Sequence, residues 1–165
     1  MEETRVKGQG FRGIIAAVES QHGKGALERA RAAMDPDVRL DGIVASGWYP
    51  MSWYRELHRA AAIAIPGVPD LAFELGKEAM RKDLRGVYRF ILSILGPDRS
   101  FSHAERVLST YFEGARFEVV ERRPDGLTAR FFELRGMDDA CWNDLLGGTT
   151  IVAEAPAGRG GRLRR

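Results

Sequence analysis

The stretch FEVVERRPDGLTARFFELRG (Phe117–Gly136) decides the fold class of this chain. Apolar and polar side chains alternate along both of its halves, which is typical of strands with one buried face. The halves meet at Pro124-Asp125-Gly126, where proline presets φ and glycine permits a positive φ. The stretch therefore predicts an antiparallel β-hairpin.

Helical patterns precede this hairpin. One apolar stripe is wide enough to be buried in the core or in a dimer interface, and it ends at Gly96-Pro97. Its residues are Leu84, Val87, Tyr88, Ile91, Leu92 and Leu95. Ser102 with Glu105 then matches a capping box, which predicts a further helix ending at Gly114.

The chain after the hairpin combines a helical and a strand-like segment. Residues 137–146 predict a helix that Gly147-Gly148 ends, and TTIVAEA (149–155) predicts a last strand.

Four further helices are predicted before the apolar stripe. They are FRGIIAAVES (11–20), Gly25–Met34, the segment after Pro50, and Leu71–Met80 capped by Asp70. We therefore expect an α+β fold, with about six helices packed on a small antiparallel sheet from residues near 116–155.

Length and charge limit the possible functions. The 165 residues suit one domain, residues 1–155, followed by a glycine- and arginine-rich tail (156–165) that we expect to be disordered. The formal charge is +2, but four arginines lie in the last seven residues, and without them the charge is −2. The domain itself is therefore not typical of a basic nucleic-acid reader.

Compartment is indicated by the cysteine count and by hydropathy. The single cysteine, Cys141, cannot form an internal disulfide, so we expect a cytoplasmic protein. The longest nearly apolar run, Ala60–Val68, is too short to span a bilayer and contains Pro66.

Several segments, in their order along the chain, carry a family resemblance. They are FRGIIAAVESQHGKGALERA, WYPMSWYRELHRAA, LRGVYRFILSILG and the hairpin. Over about Lys7–Gly148 this order resembles the haem-NO-binding domain and its 4-vinyl-reductase-like and transport-particle-like relatives. An uncharacterised myxobacterial paralogous family of similar length shares the pattern. The resemblance implies helices on a small sheet and a homodimer that pairs through its helices.

The resemblance does not extend to the haem-binding residues. Haem-NO domains hold the haem propionates with tyrosine, serine and arginine on the hairpin, and the matching positions here are Phe131, Glu133 and Arg135. The family's haem-ligating histidine lies late in the preceding helix, where this chain has VLSTYFEG (107–114). His103 lies about two turns too early. We therefore expect no haem or other cofactor.

Function is predicted from this haem-less resemblance. We expect a non-catalytic cytosolic sensor or adaptor domain that binds a small apolar ligand or a protein partner, with any ligand held between the helices and the hairpin. One alternative is a haem-based gas sensor that uses a displaced histidine. Another is a scaffold protein whose basic tail binds nucleic acid through phosphate charge.

Five residues are candidates for ligand binding. They are Trp53, His58, Tyr88, Tyr111 and Arg135. Trp53 belongs to an aromatic cluster, with Trp48, Tyr49 and Tyr54, that suits a core or the wall of an apolar pocket. We expect His58 to be half-buried, and the spacing of the histidines predicts no metal site.

Arg135 is the strongest of these candidates. It continues the strand face of Ala129 and Phe131, through Glu133, and is available for an acidic head group. The alternative is a surface pair between Glu133 and Arg135.

Two other motifs suggest chemistry without its context. Gly8, Gly10 and Gly13 match GxGxxG, but we expect a chance match, because a dinucleotide site needs a buried strand before the motif and a βαβ unit around it. Cys141 has no CxxC partner and no adjacent histidine, so we expect a packed or partly exposed thiol.

Overall fold

The computed structural model describes residues 3–85, 110–123 and 126–154. Five α-helices lie in this part of the chain, together with two separate two-stranded antiparallel sheets. The helices are α1 (Gly8–His22), α2 (Lys24–Ala33), α3 (Met51–Ala64), α4 (Leu71–Arg85) and α5 (Asp139–Glu154). The strands are β1 (Arg5–Lys7), β2 (Trp48–Pro50), β3 (Arg116–Arg123) and β4 (Gly126–Phe132). The mixed α+β class is confirmed, with five described helices rather than about six.

Periodicity placed the first helix well. The pattern places Phe11, Ile14, Ile15 and Val18 on one face. Phe11, Ile14 and Val18 are buried, and Ile15 is partly buried against the core. Gly23, with φ of +83°, ends α1 and separates it from α2. All five described helices contribute side chains to the core, and α3 and α1 contribute the most.

The β1–β2 sheet was not predicted. Its two strands have three residues each, too few to show a period of two in the sequence. Val6 pairs with Tyr49 in this sheet and also forms a bridge with Phe112, so the segment before the hairpin lies beside the chain's N-terminal strand.

The predicted hairpin is confirmed. Strands β3 and β4 pair with Arg116 opposite Phe132, with a register shift between Val119 and Glu121. Strand β4 ends at Phe132, and Glu133 has φ of +63°. The expected continuation of the strand face to Arg135 is therefore wrong, because the backbone turns at Glu133.

The end of the chain differs most from expectation. Gly147-Gly148 does not end a helix, and residues 149–154 are not a strand, because α5 continues to Glu154. The reason is close helix packing. A Cβ on Gly147 would lie 2.1 Å from the carbonyl oxygen of Phe73, and one on Gly76 would lie 2.2 Å from that of Asp144. These glycines let α4 and α5 approach each other.

Helix α4 is also longer than predicted. It runs without a break to Arg85, so the expected end at Met80 is wrong, and Leu84 belongs to α4 rather than to a new helix. The rest of the apolar stripe, the turn residues Pro124 and Asp125, and the tail lie outside the described residues. In the described part of the chain, no helix has both the length and the apolar character needed to cross a membrane.

Candidate ligand-binding site

A cavity of about 60 Å³ lies between α1, α4 and α5. Tyr54 of α3 and the segment Tyr111–Phe112 complete its described walls. Most of the lining is apolar or glycine: Val6, Gly10, Gly13, Gly76, Ala79, Met80, Phe112, Leu145 and Gly148. The volume has room for roughly four to six water molecules, or for a ligand with a similar number of heavy atoms.

One carboxylate enters the cavity from α4. Asp83 accepts a 2.9 Å hydrogen bond at Oδ1 from Nε2 of Gln9, and it accepts a second hydrogen bond at Oδ2 from the hydroxyl of Tyr111. Both donors are neutral groups. Asp83 therefore joins α1 and α4 to the segment before the hairpin, but these contacts bring no positive charge.

A second carboxylate enters from α5. Asp144 is 7% exposed, and its Oδ2 accepts a 2.7 Å hydrogen bond from the hydroxyl of Tyr54. Burial, and then the nearby charge of Asp144, raise the pKa of Tyr54 well above its ordinary value. Tyr54 therefore stays protonated and acts as a hydrogen-bond donor, not as a base or a nucleophile.

His58 lies near the same oxygen of Asp144. Its Nε2 is 3.6 Å from Oδ2 of Asp144, and its ring packs edge-on against Tyr54 at 4.9 Å between centroids. The residue is 3% exposed, so the expected half-buried position is wrong. Among the described residues, neither ring nitrogen has a hydrogen-bond partner, which is unusual for a buried polar group.

The structure brings only some of the predicted residues to this site. Tyr111 lines the cavity and His58 contacts Asp144, whereas Trp53 stacks on Tyr49 with 6.0 Å between ring centroids. Arg135 is a surface residue whose guanidinium binds Glu133 at 2.7 Å. Tyr88 and His103 lie outside the described residues.

Asp83 and Asp144 were missed, although the sequence carries a signal for both. Each is a charged residue on the apolar stripe of its helix. Asp144 follows Cys141 by three positions and precedes Gly148 by four, while Asp83 follows Ala79 by four. A carboxylate at such a position must be buried with partners or next to a cavity.

Helix α1 does not offer a dinucleotide site. The backbone amides of Gly8 and Gln9 already donate to the carbonyls of Gly47 and Ala45, at 2.9 and 3.0 Å. A strand does precede the motif, contrary to expectation, but β1 is a short strand that pairs antiparallel with β2. The described chain therefore lacks the βαβ context here, and the interpretation of GxGxxG as a chance match stands.

Cys141 is a packed thiol. It is 0% exposed, and burial, followed by the charge of Asp138, raises the pKa of the thiol far above its ordinary value. Its backbone amide donates a 2.9 Å hydrogen bond to Oδ1 of Asp138, which caps the start of α5. The described residues contain no group of three or more His, Cys, Asp or Glu side chains placed to hold a metal ion.

Phe131 and Glu133, which the resemblance matches to haem-binding positions of the hairpin, have other contacts. Phe131 packs edge-on against Trp142 at 5.9 Å, and Glu133 pairs with Arg135. An apolar ring and a carboxylate do not fit the role of holding propionates.

The chain matches no protein-family model, and no curated protein is significantly similar to it.

Proposed function

We propose that this chain is a non-catalytic binding domain that takes a small, largely apolar molecule into the cavity between α1, α4 and α5. The observation that carries the proposal is the cavity itself, an apolar space with two carboxylates at its wall. Binding sites for small molecules typically combine apolar walls with a few polar groups that orient the ligand. As a sensor or adaptor, the domain would report occupancy of the cavity to a partner.

Two features favour binding over catalysis. Tyr54 and Cys141, which could serve as nucleophile or base after losing a proton, both have raised pKa values and stay protonated near neutral pH. The hydroxyls of Tyr54 and Tyr111 are already engaged by Asp144 and Asp83. These groups hold the cavity walls in place instead of activating a substrate.

The finer assignment rests on the order of elements. A helical pair, a tyrosine-proline turn leading into α3, and a hairpin followed by α5 are the features that resemble haem-NO-binding and 4-vinyl-reductase-like domains. Membership of that superfamily, the homodimer and the cytoplasmic location are proposals on the same ground. Binding of nucleic acid by the basic tail is the alternative for residues outside the described range.

A cavity-filling variant tests the proposal. A Cβ on Gly148 would meet Met80 at 3.5 Å, an ordinary contact, so Gly148→Leu extends a side chain into the cavity without an immediate clash at Cβ. Ligand-observed NMR with fragments of the cavity's size is the measurement. We expect fragment binding to the parent protein and its loss in Gly148→Leu.

The matched control is Gly25→Leu, a glycine on the exposed side of α2, where an added Cβ meets only Nη1 of Arg29, at 3.6 Å. It adds the same side chain to a helix but does not touch the cavity, so it should bind fragments as the parent does. Fragment binding that is equal in Gly148→Leu and the parent, or absent from the parent, overturns the proposal.

A further inference from the structure

The charge of the cavity walls is unbalanced. Among the described residues that line the cavity there are two carboxylates, Asp83 and Asp144, and no lysine, arginine or histidine. Gln9 and Tyr111, which bind Asp83, are neutral. Nε2 of His58 is 3.6 Å from Oδ2 of Asp144, but His58 is not one of the described residues that line the cavity.

Asp144 is buried and Asp83 is partly buried, and a carboxylate that loses contact with water without gaining a cation is costly. An ionised group taken out of water needs hydrogen bonds and usually an opposite charge. Each carboxylate has about four lone-pair positions. Asp83 is seen to accept one hydrogen bond at each oxygen, and Asp144 is seen to accept one at Oδ2. Both therefore have capacity to accept further donors.

Glycines keep the space beside these carboxylates open. A Cβ on Gly10 would find its nearest neighbour, Val6, at 3.5 Å, and one on Gly148 would find Met80 at the same distance. Alanine would fit at both positions, so helix packing does not require glycine there. This differs from Gly147, where the backbone of Phe73 leaves no room.

We propose that the ligand is a small organic cation, an alkylammonium with a short apolar chain, whose charged group is bound by Asp83 and Asp144. The inference rests on the proposed function and gives that function a ligand class. The ammonium group supplies hydrogen-bond donors and a positive charge, which the described lining residues lack. The apolar chain contacts the glycine, alanine and methionine side of the cavity. It replaces the expected acidic head group, since Arg135 does not line this cavity.

Three probes with the same number of carbon atoms separate the effect of charge from that of shape. Butylammonium, butanol and butyrate each have a four-carbon skeleton and fit the volume of the cavity. Binding to the full chain is measured by calorimetry at neutral pH. We expect butylammonium to bind at least tenfold more tightly than butanol, and butyrate not to bind.

Asp83→Asn and Asp144→Asn remove each charge while keeping an acceptor oxygen for the tyrosine hydroxyl. Each should weaken butylammonium binding at least tenfold and leave butanol binding within about twofold. Glu28→Gln removes an exposed negative charge from α2 and is the matched control. It should change neither butylammonium binding nor butanol binding. Circular dichroism shows which variants are folded. If Asp144→Asn does not fold, Asp83→Asn alone provides the test, because the hydrogen-bond donors to Asp83 are two neutral groups.

The outcomes distinguish this inference from the proposed function. If butanol binds as tightly as butylammonium, or if Asp83→Asn leaves butylammonium binding unchanged, the cationic ligand is overturned while the binding cavity remains. If none of the three probes binds, both the inference and the cavity as a site for ligands of this size are overturned.

Discussion

The hydroxyl of Tyr54 on α3 donates a 2.7 Å hydrogen bond to Oδ2 of Asp144 on α5, 90 positions along the chain. The bond crosses from the core to the wall of the cavity. It gives a buried carboxylate one of its few partners and holds the tyrosine ring in its edge-on contacts with Phe11 and His58, each at 4.9 Å. A single hydroxyl therefore connects the stability of the core with the geometry of the candidate site.

Tyr54→Phe should destabilise the protein by about 1.5–3 kcal/mol, because it removes a hydrogen bond to a buried charged group and keeps the ring. Urea denaturation gives the free energy of unfolding. The control is Tyr49→Phe, whose hydroxyl lies in an exposed loop near Val44 and Gly42 and whose loss should cost at most about 1 kcal/mol. An equal loss of unfolding free energy in the two variants would show that the Tyr54–Asp144 hydrogen bond stabilises the protein no more than an exposed one.

Gly147→Ala and Gly148→Ala should shift stability in opposite directions. Alanine at Gly147 places a methyl group 2.1 Å from the carbonyl oxygen of Phe73, so α4 and α5 must separate, at a cost of about 1–3 kcal/mol. Alanine at Gly148 meets only ordinary contacts and improves helix propensity by about 0.5–1 kcal/mol. Thermal unfolding measures both, and shifts of the same sign would contradict the close packing of the two helices.

Cys141 should make stability fall at high pH. Its native pKa is raised above the ordinary value of 9.0, so above that pH the unfolded chain releases a proton that the native protein keeps. The unfolded state then binds fewer protons, and the free energy of unfolding falls by about 1.4 kcal/mol per pH unit from this group. Cys141→Ala should show a shallower decline between pH 9 and 10 than the parent. Parallel declines in urea titrations at these pH values would count against the buried thiol.

Glu3 should act as the cap of α3. Its carboxylate accepts hydrogen bonds from the backbone amide and the hydroxyl of Ser52, at 2.9 and 2.8 Å, at a helix start where Pro50 provides no side-chain cap. Glu3→Ala should cost about 0.5–2 kcal/mol, since it leaves the backbone amide of Ser52 without this acceptor and removes a negative charge from the helix N-terminus. Glu28→Ala, an exposed glutamate on α2, is the control. Equal unfolding midpoints in urea for the two variants would refute the cap.

The local sequence pattern was sufficient to predict several secondary-structure elements. The buried stripe of α1, the start of α4 at Leu71 and the pairing of β3 with β4 follow from periodicity and turn residues, because these signals involve neighbours in sequence. The β1–β2 sheet escaped prediction because three-residue strands carry no period. The polar groups of the cavity escaped it because their partners are distant, as with Gln9 and Asp83, 74 positions apart.

The sequence by itself determined the α+β class, most of the helices and the hairpin, since apolar spacing dictates which face of a local element must be buried. Only the tertiary structure decided what Gly147 and Gly148 do. A glycine pair can end a helix or let a second helix approach, and the amino-acid sequence alone does not distinguish these two roles. Here the carbonyl of Phe73 occupies the space of a side chain at Gly147, so the helix continues. The same contact between α4 and α5 places Asp144 at the cavity, which is why the candidate site could be located only in three dimensions.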